Sequence, residues 1–220
     1  MNHLATSIEW GTVGLRTGVV VAGLIIWFWT QAMIGRQAGG PSALPGDRLH
    51  DWTAGWHRWL ADHPRATNSA LIVSSLLIDL FGLSLIGAAL FGPSFAPFLA
   101  MIIVFSMRQV CQRLCTLPQP PGKIWRHPGF PSLLVTYHVS NDLFFSGHTA
   151  LAVLGAIEAC AHAPAWLAAI AVLIALGQML FIIVLRGHYT LDVIAGLFAA
   201  FVGSALAHQL APWVDGFLKA

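Results

Sequence analysis

Two short stretches hold residues able to do chemistry together. One is Phe145-Ser146-Gly147-His148-Thr149, the other Arg186-Gly187-His188-Tyr189-Thr190-Leu191-Asp192. His188 and Asp192 are spaced to share one face of a helix. The Asp192 carboxylate can then accept Nδ1–H of His188 and present Nε2 as a nucleophile toward phosphorus. That splits a difficult displacement into two easier ones through a phosphohistidine. His148 titrates near neutral pH, so it can protonate a leaving alkoxide and later deprotonate an acceptor. Ser146 is placed to cap a helix and leave amides aimed at an anion. Gly147 lets the backbone approach a phosphate oxygen. The expected chemistry is phosphoryl-type transfer at a membrane surface, with no metal and no cofactor.

The elements that carry these residues must live in lipid. Of 220 residues, 57% are hydrophobic and 9% charged, against roughly 25% charged in an average chain. Such a chain cannot clothe itself in a wetted surface. The net charge of +2 is too small to point to nucleic acid as a partner. The first apolar run is too long for a cleavable leader. Cys111, Cys115 and Cys160 form no ligand set and are read as packing residues.

The sequence predicts an all-α, polytopic membrane protein, one catalytic domain over residues 1–220. Six transmembrane helices are expected near Leu15–Ile34, Ser69–Phe91, Phe95–Gln109, Gly147–His162, Pro164–Leu185 and Tyr189–Leu210. The third is expected to run past Arg108. Between the first two lies a polar insert, residues 36–68. There Leu49, Trp52, Trp56, Trp59 and Leu60 recur at helical spacing opposite Arg48, Asp51, Arg58 and Asp62. That pattern predicts an interfacial amphipathic helix with tryptophans at headgroup depth. His50 and His57 share one face of it and His63 follows. An amphipathic surface is favoured over a metal site, because no third ligand is fixed by spacing. Gly196, Ala199, Ala200, Gly203 and Ala207 form a small-residue face, expected to pack within the bundle, with a homo-oligomer as the alternative.

With six spans, both histidine motifs and the long loop after Arg108 fall on one leaflet. Arg36, Arg48, Arg58, Arg65, Arg108, Arg113, Lys123, Arg126 and Arg186 share that side, leaving only Arg16 and Lys219 on the other. The positive-inside rule would make the motif side cytoplasmic, although arginines kept for substrate phosphate would bias the same count.

Asp142-Leu143-Phe144-Phe145-Ser146-Gly147-His148-Thr149 together with His188-Tyr189-Thr190-Leu191-Asp192-Val193 resembles the sphingomyelin synthase family, a branch of the type-2 phosphatidic-acid phosphatase superfamily. Arg108, Thr116-Leu117-Pro118 and Pro121-Gly122 resemble that family's motif after its third span. The likeness covers roughly residues 70–210. It implies transfer or hydrolysis of a phosphocholine or phosphoethanolamine headgroup, the acceptor being ceramide, another lipid hydroxyl or water. By position it makes His188 the nucleophile, Asp192 its orienting partner, His148 the acid/base and Arg108 a phosphate contact. Ordinary phosphatases of the superfamily have an arginine six residues before the nucleophile. Ile182 stands there in this chain, and Arg186 is the expected substitute. The family usually works on the non-cytoplasmic side, opposite to the arginine count.

Other polar residues have two readings each. Asp142 either tunes His148 or serves the loop. Asp79 and Glu158, inside apolar spans, are either functional or paired, and Asp79 is the better site candidate. Arg113 binds phosphate or snorkels. Tyr137, His138 and Tyr189 are expected headgroup contacts, and an aromatic cage for a quaternary ammonium would need tryptophans such as Trp125. The predicted partners are a phospholipid donor and a lipid acceptor. The predicted location is a bacterial inner membrane, or the Golgi, endoplasmic reticulum or plasma membrane of a eukaryote. The alternatives are a lipid phosphate phosphatase, which Ile182 disfavours, and a non-catalytic lipid-binding protein, which the intact His148, His188 and Asp192 disfavour.

Overall fold

In a computed structural model, residues 9–34, 46–137 and 143–218 are described, and every regular element among them is helical. The helices are α1 (Trp10–Ile34), α2 (Arg48–Trp52), α3 (Ala54–Asp62), α4 (Pro64–Phe91), α5 (Ala96–Leu114), α6 (Gly147–His162), α7 (Ala165–Val184) and α8 (Thr190–Leu218). The six expected spans correspond to α1, α4, α5, α6, α7 and α8. Only α1, α4, α7 and α8 are long and apolar enough to cross a membrane by themselves. α5 carries Arg108 and Arg113 in its 19 residues. α6 has 16 residues, about 24 Å at 1.5 Å per residue, against a bilayer core of about 30 Å.

Boundaries follow local chemistry. α4 begins at Pro64 rather than Ser69, because proline at the first helical position has no amide to leave unpaired. α8 runs past Leu210 to Leu218 in spite of Pro212.

α6 sits at the centre, packed on α4, α5, α7 and α8, while α5 lies along α8. Small residues set these approaches. A Cβ at Gly203 would lie 2.2 Å from Val104 Cγ2, and one at Gly155 2.2 Å from Phe81 Cδ1. The Gly196–Ala207 face is thus buried inside the bundle, as expected of intramolecular packing. Large apolar side chains such as Ile25, Leu173, Phe198 and Phe201 point outward. Water would not tolerate that surface, and lipid does.

Two intramembrane carboxylates have structural partners. Asp79 accepts the amides of Leu133 (2.8 Å) and Leu134 (2.9 Å), drawing the α5–α6 loop back along α4. Glu158 lies 3.1 Å from His162 Nδ1 at the far end of α6. Asp79 is therefore a loop anchor, the paired one of its two readings. At that far end Arg16 donates to the carbonyls of Ala89 (3.2 Å) and Gly92 (3.0 Å) and pairs with Asp215 at 3.5 Å.

The insert departs from expectation. It is two helices, not one, broken at Thr53, and the histidines face inward. His50 and His57 are buried, whereas Trp52, Trp56 and Trp59 are exposed. The expected apolar face does exist, but on the outside, where tryptophans suit a headgroup boundary. Residues 36–45 lie outside the described residues.

Candidate active site

α7 ends at Val184 and α8 begins at Thr190, so His188 lies in the turn between them and not on a helix face shared with Asp192. Helix ends leave backbone groups without partners, and here other segments supply them. His57 Nδ1–H donates to the Val184 carbonyl at 2.9 Å, and the Ile124 amide to the Leu185 carbonyl at 3.0 Å. His50 Nε2–H donates to the His188 carbonyl at 3.0 Å. At the start of α8 the Asp47 carboxylate accepts the Thr190 amide (2.6 Å) and hydroxyl (2.7 Å), while also capping α2 through Leu49 and His50. The insert is a brace around the turn that holds His188.

Two of these groups have displaced acidities. Burial alone would raise the Asp47 carboxyl, but hydrogen bonds from Thr190 and the nearby His50 outweigh it and hold the group below its usual value. Burial, with Arg186 and His50 nearby, pushes His57 down against the opposing pull of the Val184 carbonyl. His57 is thereby favoured as a neutral donor.

Asp192 Oδ2 accepts the Tyr189 amide at 3.0 Å and stands 3.5 Å from His188 Nδ1, its side chain entirely buried. The carboxylate thus stands beside Nδ1, and the His188 residue lines the cavity. The 3.5 Å separation is long for a hydrogen bond, as is common before substrate tightens such contacts.

The second motif packs directly on the first. The Ser146 amide donates to the Asp192 carbonyl at 3.0 Å, and Ser146 Oγ caps α6 by accepting the Thr149 amide at 3.3 Å. A Cβ at Gly196 would come within 2.6 Å of the Ser146 carbonyl, so a side chain there would force the motifs apart. His148, in the first turn of α6, meets the edge of Trp125 with ring centroids 4.9 Å apart. Arg108 is buried and donates Nε–H to the Phe145 carbonyl at 2.7 Å and Nη1–H to Gln31 at 3.3 Å. A Cβ at Gly147 would lie 3.2 Å from Arg108 Nε. The space that this glycine opens is thus taken by a guanidinium.

Arg108, Lys123, Gly147, His148 and His188 line one small cavity of about 40 Å³, with Trp27 and Trp125 in its walls. Imidazoles forty positions apart and one buried guanidinium therefore face the same space, an arrangement suited to a tetrahedral anion. Behind this lining stand Asp192 and Ser146, as supports. Arg186 and Tyr189 do not line the cavity. Arg186, at φ 54°, donates Nη1–H to the Pro121 carbonyl at 2.7 Å, and a Cβ at Gly122 would lie 3.2 Å from that nitrogen. Tyr189 stacks on His50 with centroids 5.8 Å apart. Arg108 and Lys123 are the cationic side chains in the cavity's lining. Tyr137 stacks on Trp125, its ring one layer behind the wall. Asp142 and His138 lie outside the described residues.

Sequence reasoning missed Asp47, His50, His57 and Lys123. The seven-residue spacing of the two histidines was visible, and it marked a shared face that docks inward.

The sequence model of the AtPDCT1/2 family matches residues 48–209, from the first residue of α2 into α8. That match takes in α2 and α3, for which the motif resemblance offered no counterpart. No curated protein and no solved structure matches the chain.

Proposed function

The chain belongs to the AtPDCT1/2 family, and from that membership we propose that it is a membrane enzyme moving phosphocholine from phosphatidylcholine to diacylglycerol through a phosphohistidine at His188. The family name stands for phosphatidylcholine:diacylglycerol cholinephosphotransferase. The single observation that carries the mechanism is the lining of one cavity by His148, His188 and Arg108.

His188 Nε2 attacks phosphorus and the bond from phosphorus to the diacylglycerol oxygen breaks. His148, protonated, gives its proton to that oxygen, and diacylglycerol leaves into the bilayer. A second diacylglycerol then loses its hydroxyl proton to His148 and attacks phosphorus, breaking the P–N bond and returning His188 to its free form. Asp192 holds Nδ1 and stabilises the imidazolium character that develops. Arg108 and Lys123 balance charge on the phosphoryl oxygens. The faces of Trp27 and Trp125 suit the trimethylammonium group. α5 and α6 serve as the fifth and sixth spans, shielded by their neighbours where their own apolar length falls short. The catalytic end lies at headgroup depth, with Trp52, Trp56 and Trp59 in the interface.

Purified protein given dioleoyl phosphatidylcholine and dipalmitoyl glycerol is expected to form dipalmitoyl phosphatidylcholine, read by mass spectrometry. Ceramide is tested alongside, because the histidine motifs resemble those of sphingomyelin synthases. Inorganic phosphate released from phosphatidic acid, supplied in parallel, with no headgroup transfer would make the chain a phosphatase, and no turnover on any lipid would make it a lipid-binding protein.

A further inference from the structure

A second hollow, about 380 Å³, runs along the outer seam between α1 and α5 and is almost wholly apolar. Val19 and Gly23 of α1 and Phe98 and Ile102 of α5 form its deeper part. Gly23 helps open it: a Cβ there would already touch Phe98 Cζ at 3.4 Å, and any longer side chain would fill the groove. At its upper end the hollow shares Trp27 and Phe105 with the catalytic cavity, so a single pair of rings, centroids 4.6 Å apart, borders both spaces. The Trp27 indole N–H is buried there and has no hydrogen-bond partner among the described residues. A donor buried without an acceptor is a rarity that calls for a ligand or a water.

The order of groups along the protein is anion-binding cavity, one idle donor, apolar groove. The order of groups along a glycerophospholipid is phosphate, ester carbonyl, acyl chain. We propose that the α1–α5 groove is the subsite for one acyl chain of the phospholipid donor, with Trp27 Nε1–H donating to that chain's ester carbonyl. This rests on the headgroup-transfer reading above and adds to it a defined seat for the tail. The groove opens toward the hydrocarbon, because α1 is long and apolar enough to span and only 11% of its apolar window is buried in the protein. A lipid can therefore enter sideways, without leaving the bilayer.

Substitutions and one label test this on the full chain. Gly23→Leu and Ala22→Phe each put a side chain into the groove, and Ala22 is an exposed position that tolerates one if Gly23→Leu does not fold. The readout is the ratio of kcat/KM on dioleoyl to that on dihexanoyl phosphatidylcholine with a common acceptor, and it should fall about tenfold or more. Trp27→Phe keeps the ring and removes the N–H. It should lower the ratio of diacyl to dialkyl-ether turnover roughly threefold to tenfold. Photo-crosslinking with a phosphatidylcholine bearing a diazirine in its acyl chain needs no turnover, so it separates the groove from the reaction. Label concentrated on the α1 and α5 peptides, and lost in Ala22→Phe, supports the subsite even if headgroup transfer fails. Label spread equally over the outer faces of α7 and α8, with unchanged substrate ratios, means ordinary boundary lipid and overturns it. Ala22→Cys chains that oxidise to a disulfide-linked dimer through the seam would give it to a second copy of the chain and overturn it as well.

Discussion

The two ends of this bundle are tied in opposite ways. At the far end one guanidinium does most of the joining: Arg16 reaches the carbonyls of Ala89 and Gly92, and Asp215, which it also pairs with, accepts the Phe95 amide at 2.8 Å. The connections there are short, residues 92–95 between α4 and α5 and residues 163–164 between α6 and α7. At the catalytic end the turn between α7 and α8 is held by His50, His57 and Asp47 from the insert and by Ile124 and Pro121 from the α5–α6 loop. A knot keeps helices together. A nucleophile needs more, because a displacement of about 1 Å is enough to slow chemistry roughly a hundredfold. The difference teaches that the long polar segments of this chain converge on the turn that holds His188, and on the proposed mechanism stability and activity should separate by end.

The sharpest contrast comes from the nucleophile itself. His188→Ala should lower headgroup transfer by roughly four orders of magnitude while leaving thermal unfolding close to wild type, checked by initial rates and circular dichroism. Next in size is the brace. Asp47→Ala removes the acceptor for Thr190 and should reduce kcat about tenfold to a hundredfold with little change in KM, and Asp47→Asn, which keeps one acceptor oxygen, should recover part of it. An equal loss in both, or a change in KM alone, would break the proposed link between the insert and the turn. At the far end Arg16→Met should lower unfolding free energy by about 2 kcal/mol with kcat per folded molecule unchanged. A fall in kcat there would erase the contrast between the ends.

The smallest effect is a pH dependence. His57 has its folded pKa below its ordinary 6.5, so the unfolded chain binds a proton more readily. Its stabilising contribution is complete above about pH 6.5 and is lost as pH falls toward the folded value. The melting temperature should therefore decline on the acid side of 6.5 by roughly 2 °C more in wild type than in His57→Asn.

Much of this was legible from the residues. The α6 boundaries follow from Ser146 as a cap and Ala163-Pro164 as a stop, and the structure has Gly147–His162 as expected. Counting spans put His148 and His188 on one leaflet, and the structure brings both to one cavity. Of the six helices counted, α1, α4, α7 and α8 are long and apolar enough to cross by themselves. What could not be read was which face of the insert turns inward. In a soluble domain the tryptophan face would be buried. Here lipid and interface reward its exposure, and the buried face is the one whose imidazoles can satisfy helix-end carbonyls. For Asp79 the paired reading holds, and periodicity could not reveal the partners, which are amides of a loop 54 and 55 positions away. Arg186, expected at the phosphate from its place two residues before His188, is held on the α5–α6 loop by the Pro121 carbonyl, a partner its spacing could not reveal.

The most direct test is to locate the phosphoryl group on the enzyme. After a millisecond quench with phosphatidylcholine labelled in its phosphate, peptide mass spectrometry should find an acid-labile phosphocholine adduct on His188, and adding diacylglycerol should discharge it. Normal turnover with no such adduct, or with the label on His148, would contradict the account.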